Sequence, residues 1–314
     1  MKKILFRRLL MLIPILFGVT FLSFAMMRIA GSDAVLQKAD TSGVALTEEV
    51  IEAQREEMGL DKPFLIQYVN WLGRFLRGDL GESYISGEDV FTEFVSKLPA
   101  TLFLTLTSVL LTVIISIPLG ILAAVKQNRF IDYLIRVCSF IGNSLPNFFV
   151  ALVLMYFFAI RLGVFPVISE GISLRSAALP TLTLAIAMSA KYLRQVRAAV
   201  LDELSKGYVT GAKARGVKFS VTMRKSVLRA ALVTILTLLA LSIGNLLGGT
   251  AIVESIFMWD GVGKLAVDAI NMRDYPVIQA YVVWMALIYV AVNLITDMTY
   301  SLLDPRIRPG GEDA

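Results

Sequence analysis

Six stretches of the chain are apolar for long enough to cross a bilayer, and this pattern limits the possible folds more than any other feature. A membrane-spanning helix needs about 20 predominantly apolar residues. Stretches of that kind fall at 9–29, 98–125, 134–160, 176–197, 230–256 and 280–303 of the 314 residues. Lipid offers no hydrogen bonds to open backbone, so such segments must be helices or a closed barrel, and runs this long read as helices. The fold class predicted is therefore all-α, a polytopic membrane protein with six transmembrane helices. The fourth stretch is the weakest: Ser176 to Ala190 is uncharged, but Lys191, Arg194 and Arg197 follow, and these must snorkel to the headgroups or lie beyond the membrane.

Composition removes most alternatives. The chain is 56% hydrophobic and 18% charged, with a mean hydropathy of +0.71; soluble domains carry about 25% charged residues. It has no histidine, which excludes the commonest general base, the Ser-His-Asp nucleophile and imidazole-ligated metal sites. Its single cysteine, Cys138, leaves no disulfide within one chain.

Charge placement sets the orientation, because Lys and Arg collect in cytoplasmic loops. The N-terminus carries Lys2, Lys3, Arg7 and Arg8, the second connection carries Lys126, Arg129 and Arg136, and 191–229 carries ten bases against Asp202 and Glu203. The 31–97 region instead has six bases against thirteen acids. Both termini are expected to be cytoplasmic, with 31–97 extracytoplasmic. The basic start resembles a signal peptide, but the apolar run exceeds the 7–15 residues of such a segment and no small-x-small cleavage site follows, so a retained helix is expected. Within 31–97, Thr47 to Gly59 reads as one amphipathic helix with a Thr cap and a Gly stop.

A phosphate loop is not found. Gly261-Val262-Gly263-Lys264 comes nearest, but Met258 stands where the upstream glycine belongs and Leu265 where Ser or Thr belongs. The informative segment is 208–232, where the small residues Gly211, Ala212, Ala214 and Gly216 would let a short helix and a tight turn approach another backbone. Its basic residues keep it out of the bilayer. Charge alone is equally met by an ordinary positive-inside loop.

The order of residues resembles the Glu-Ala-Ala-x3-Gly loop of binding-protein-dependent ABC importer permeases, in the Tyr-Val-x-x-Ala-x-Ala-Lys/Arg-Gly form of the dipeptide, oligopeptide and nickel branch. Tyr208, Val209, Ala212, Ala214, Arg215, Gly216, Arg224, Leu228, Arg229, Ala231 and Leu232 carry the match. Met58 to Pro63, Gly78 to Ser83, Leu98 to Leu102, Pro118 to Gly120, Ser144 to Phe148, Val253 to Trp259, Arg273 to Gln279 and Asp304 to Arg308 extend it over nearly the whole chain. Thr210 and Gly211 depart from the usual Glu-Ala or Arg-Thr, Ala230 from Asn and Thr234 from Pro.

The resemblance implies a type I ABC importer permease fold in a bacterial inner membrane. Its divisions are 1–30, an N-terminal tip and first transmembrane helix; 31–97, the extracytoplasmic region; 98–303, a five-helix core with a coupling loop at 198–229; and 304–314, a cytoplasmic tail. It implies a second permease subunit, two ATPase subunits or domains and an extracytoplasmic solute-binding protein as partners. No cofactor is expected on this chain; ATP and Mg belong to the ATPase subunits, and the permease performs no chemistry. In that family 208–220 is a coupling helix docked in an ATPase groove, with Tyr208, Ala212 and Ala214 on it, Arg215, Arg224 and Arg229 positioning it and Gly216 making the turn. The match looks closest to the nickel branch; without histidine a bare nickel ion has no imidazoles to pass along. Nickel or a metal chelate is therefore ranked ahead of a short peptide.

Several membrane positions carry two readings. Gly244 and Gly248 form a small-x3-small face that suits helix packing within the subunit or between subunits. Asn293 and Asp297, one turn apart, must face protein or water, as pore lining or as a structural pair with Arg306. Met11, Met26 and Met27 offer soft sulfur to a metal, although methionines in an apolar helix commonly just pack. Pro118, Pro146 and Pro180 are expected to bend their helices. An ion-coupled secondary transporter would need several buried ionisable groups and inverted repeats, and only Asp297 is a candidate.

Overall fold

The computed structural model of the chain describes residues 2–29, 35, 47–57 and 59–303. Among the described residues twelve helices run in order: α1 Lys2–Ile29, α2 Glu48–Glu57, α3 Phe64–Phe75, α4 Val90–Val125, α5 Phe130–Ser144, α6 Asn147–Leu154, α7 Leu174–Leu204, α8 Gly207–Ala214, α9 Phe219–Thr222, α10 Leu228–Ile256, α11 Val262–Met272 and α12 Tyr275–Leu303. Wider π-helical turns extend α6 over Met155–Arg161 and join α9 to α10 over Met223–Val227. Among the described residues the only extended pairing is one isolated bridge, Glu82 to Asp89.

Among the described residues three helical stretches are long and apolar enough to cross a membrane: Val90–Val125, Phe219–Gly244 and Tyr275–Val292. The stretch read as one span over 134–160 is broken: α5 and α6 meet at 101°. The cause is local. A residue before proline is pushed out of the helical region, and Leu145 is extended (φ −83°, ψ 130°) before Pro146, which starts α6. Pro118 and Pro180 instead lie inside helices that continue through them. In α1 the apolar described part, Ile13–Ile29, is a shorter helix. The connection read as a loop over 198–229 is mostly helix, since its basic residues are good helix formers and report solvent rather than irregular backbone.

The chain divides into two compact units, Met1–Thr101 with Asp260–Val290, and Leu102–Trp259 with Ala291–Ala314. In the first, α2 begins just after Thr47, whose carbonyl accepts from Ile51 N (3.1 Å). It ends on two reversed bonds, Gly59 N to Glu56 O (2.9 Å) and Leu60 N to Arg55 O (2.8 Å), which is the Schellman arrangement for a helix stop. Two of the quoted motifs then meet. Ser83 Oγ donates to Asp274 Oδ2 (2.5 Å) in a buried bond, and Tyr84 N donates to Asp274 Oδ1 (3.2 Å) in a partly buried one. Beside them Leu80, Val90, Ala269, Val277 and Ala280 form a small core. Val262 N, an orphan donor at the start of α11, is capped from a distance by Thr101 Oγ1 (2.9 Å).

In the second unit α7 is the buried element, packed against α5, α6 and α10. Its small residues Ala177, Thr183, Ala185 and Ala190 are buried and let neighbours approach. The tightest approach is to α4: a Cβ added to Gly120 would lie 2.7 Å from Val196 Cγ1 and 3.0 Å from Leu193 O. The Pro118-Leu119-Gly120 motif therefore supplies a point where the two backbones meet without a side chain between them.

Gly120→Ala is expected to cost about 1–3 kcal/mol, the usual range for overpacking, because stiff Val196 and a backbone carbonyl cannot step aside. Thermal unfolding of the purified chain in detergent checks this. The loss caused by Val196→Ala should be smaller in the Gly120→Ala background than alone.

Candidate functional site

The 208–229 segment begins where α7 leaves its packed neighbours. Glu203, in the last turn of α7, is 9% exposed and takes two donors from the residues that follow: Lys206 Nζ at 2.5 Å and Tyr208 Oη at 3.1 Å. That pair of bonds folds the chain back into α8. Burial and the neighbouring Glu203 carboxylate push the Tyr208 phenol above its ordinary pKa. Ala212 is buried, and Val209 packs on a core of Ala124, Tyr192, Val196, Val200, Met223, Val227, Ala231 and Ile235. One face of α8 is thus seated on its own chain, and Ala214 lies on the exposed side.

The stop of α8 repeats that of α2. Gly216 N donates to Lys213 O (3.0 Å) and Val217 N donates to Ala212 O (3.1 Å). Gly216 has φ +75°, and a Cβ there would meet nothing within 4 Å. Glycine is required by the backbone angle alone, since a left-handed conformation costs other residues about 1–2 kcal/mol. Arg215, at the end of α8, is exposed and lays Nη1 3.9 Å from where a Cβ of Gly211 would be. Arg224 sits in the π-helical turn and Arg229 in the first turn of α10, both exposed. Among the described residues none of these three arginines has an acidic partner. The segment therefore presents a short helix, an abrupt turn and three exposed arginines that have no acidic partner among the described residues.

That base is tied to the helix bundle by a contact the sequence reading missed. Arg197 Nε and Nη2 donate to Asp132 Oδ1 and Oδ2, each at 2.8 Å, and Asn128 N adds a third bond to Oδ2 at 2.9 Å. Asp132 is fully buried and Arg197 largely so. Arg197 thus neither snorkels nor merely marks the end of a span: it is the partner of a buried carboxylate. Position 132, isolated in an apolar helix, was the available signal. Above it Tyr192 Oη donates to the carbonyl of Ile235 (2.8 Å), joining α7 to α10.

The remaining predicted positions are spread elsewhere. Gly244 and Gly248 lie on α10; Gly248 is exposed, and a Cβ there would meet nothing within 4 Å. Asn293 and Asp297 fall on α12, but their side chains lie outside the described residues, as does all of 304–314 including Arg306. Met26 is exposed on α1, and the side chain of Met11 lies outside the described residues. Among the described residues no group of three His, Cys, Asp or Glu could hold a metal ion. Lys264, of the glycine-rich turn at the start of α11, pairs with Asp268 one turn on.

With this geometry in hand, comparison with known proteins defines the class. Residues 116–309 match the family described as binding-protein-dependent transport system inner membrane component, and residues 1–105 match its N-terminal counterpart. The chain belongs to this family: it is a non-catalytic permease subunit of an ABC importer, multi-pass in the inner membrane. The oligopeptide transport system permease protein AppB of Bacillus subtilis (strain 168) is 38% identical over 323 residues, covering 98% of this chain and 99% of that protein. The glutathione transport system permease protein GsiC of Escherichia coli (strain K12) is 37% identical over 308 residues, with the same coverage, 98% and 99%.

Solved structures share the all-helical architecture. The methionine ABC transporter MetNI in an inward-facing conformation aligns with TM-score 0.58 at 17% identity, over 68% of this chain and 96% of that one. An amino acid ABC transporter crystallised with histidines aligns with TM-score 0.53 at 22% identity, over 69% and 94%.

Asp132→Ala should destabilise the chain by about 3–5 kcal/mol, because it leaves a buried guanidinium unpaired. The double variant Asp132→Leu/Arg197→Met should recover most of that loss, read as the unfolding midpoint in detergent.

Proposed function

We propose that this permease imports short peptides or peptide-like solutes, forming half of the pathway and carrying the mechanical link to the ATPases. The observation that supports the substrate class is similarity over almost the full length to permeases named for oligopeptide and glutathione transport. Nickel or a metal chelate, ranked first from sequence motifs, finds no support among these relatives and gives way to the peptide reading.

In this reading the six spans form a type I permease with both termini in the cytoplasm, divided at 1–30, 31–97, 98–303 and 304–314. The partners are a second permease subunit, two ATPase subunits and a solute-binding protein outside. The 198–229 region is the coupling element. What favours this is mechanical: α8 is seated through Ala212 and Val209 on a core that includes α4, α7 and α10, so a push on α8 is delivered to packed helices rather than absorbed by a loop. Tyr208, held by Glu203, fixes how α8 leaves α7. Ala214 keeps the outer side low, and Arg215, Arg224 and Arg229 supply exposed positive charge toward an acidic groove. Closure of the ATPases on ATP would draw the coupling helices together, and the differential contact in the two ATPase states is what shifts the permease. Gly244 and Gly248 offer a close-packing face to a neighbouring helix, and Asn293 and Asp297 line the pathway.

Two experiments test these parts separately. Uptake of a labelled dipeptide or glutathione into cells with and without the gene should be gene-dependent and competed by unlabelled peptide. Gene-dependent nickel entry that peptide leaves untouched would return the assignment to the metal branch. Gly216→Pro should leave membrane insertion intact but abolish ATP-driven uptake. Proline is locked near φ −65° and lacks the N–H that closes the turn on Lys213. Normal uptake by that variant would sink the coupling role.

A further inference from the structure

Helix α3 has three distinct sides, and each is accounted for by a different environment. At 100° per residue, Phe64, Tyr68, Trp71 and Phe75 form one row, Gln67, Asn70 and Arg74 a second, and Leu65, Val69, Leu72 and Leu76 a third. The second and third rows lie about 160° apart by the same geometry. The aromatic row packs on α1. Tyr68 stacks edge-on against Phe17, Phe21 and Phe24 (5.8, 5.3 and 5.6 Å between centroids), Phe64 meets Phe21 at 5.7 Å and Trp71 meets Phe24 at 5.7 Å. Tyr68 Oη and Thr20 Oγ1 satisfy one another at 2.9 Å. The polar row borders a cavity of about 630 Å³ together with Asp79, Glu82 and Tyr275. The apolar row is mostly open: Leu65 is 63%, Val69 64% and Leu76 76% exposed, and Leu72 is half-buried.

The level of this packing on α1 identifies what covers the row. Phe17 to Phe24 lie between about 6 and 17 Å along the helix from Arg28, at 1.5 Å per residue. They sit inside the apolar part of α1, whose own outward residues Leu22 and Met26 are exposed in the same way. A helix laid against α1 at that level, polar on one side and apolar on the opposite one, has the geometry of an interfacial helix, which sits about 5–10 Å into the headgroup and acyl boundary. Trp71, Arg74 and Arg77 are the residue types that anchor at that boundary.

We infer that α3 is a membrane-seated helix, with its Leu65-Val69-Leu72-Leu76 row buried in acyl chains of the leaflet that holds the Arg28 end of α1, and not a helix in water. The inference rests on the reading that α1 crosses the membrane. The seat gives α1 a lateral brace in the bilayer, through an aromatic interlock that also closes one wall of the cavity above it.

Spin labels test it in the full chain, reconstituted in vesicles of phosphatidylethanolamine and phosphatidylglycerol. The exposed native thiol of Cys138 is removed as Cys138→Ser, and single cysteines are placed by Leu65→Cys, Val69→Cys, Asn70→Cys and Leu22→Cys. Labels at 65, 69 and 22 should be more accessible to oxygen than to water-soluble chromium oxalate, and the order should reverse at 70. If the labels at 65 and 69 follow chromium oxalate while the one at 22 stays with oxygen, α3 lies in water and the inference fails although α1 spans. Shielding of 65 and 69 from both reagents would mean that protein covers the row, which also overturns it. Chromium access at 22 would show that α1 does not cross, and the inference would fall with that reading.

Discussion

A helix too polar for lipid has to be enclosed, and α7 is that helix. Arg175 stands at its start, and Lys191, Arg194 and Arg197 interrupt its second half. Its neighbours shield it by close approach: α4 comes in at Gly120, where no Cβ would fit beside Val196, and α10 takes the Tyr192 hydroxyl on the carbonyl of Ile235. The buried charge is answered in kind by Asp132 from α5. Removing one member of such a pair is far more damaging than removing both, so the pair makes the arrangement of α5 and α7 specific.

The docking segment is an outgrowth of this enclosed helix. Because α7 is held along its length, its last turn is a firm platform, and Glu203 uses it to orient the first turn of α8 through Lys206 and Tyr208. The turn at Gly216 then ends α8 abruptly by local hydrogen bonds alone. A short helix would be marginal by itself. Here the packing of Ala212 and Val209 on the α7 and α10 core supplies what its own length does not.

The first unit shows how short motifs acquire physical meaning. Gly78 to Ser83 and Arg273 to Gln279 are far apart in the chain, yet Ser83 and Asp274 share a buried hydrogen bond while Leu80 and Val277 share a core. Arg74 pairs with Asp79 at 2.7 Å and holds that carboxyl below its usual range, but both side chains are about half exposed. A pair so open to water contributes little to stability. The unit is held by its aromatic and aliphatic contacts and by the buried Ser83–Asp274 bond.

Much was legible in the linear order of residues. Helix class followed from apolar length, because the bilayer leaves backbone groups no other partners. The stops at Gly59 and Gly216 followed from glycine beyond a helical pattern, since only glycine takes a left-handed angle at no cost. The break at Pro146 was anticipated as a bend, although the sharpness of 101° depends on what α5 and α6 pack against. What stayed hidden were matters of partnership across the chain. Charge counting treats Arg197 as a cation seeking water, and only the fold brings Asp132 to it. Likewise, an acidic region on either side of α3 masks its apolar row, which becomes visible once the aromatic row is seen to lie on α1. The sequence by itself determined which segments are helical and where they stop, because those depend on lipid solvation and on backbone angles set within a few residues. Only the tertiary structure decided which polar groups are paired and which apolar faces remain open, because pairing and exposure depend on distances between segments far apart in the chain.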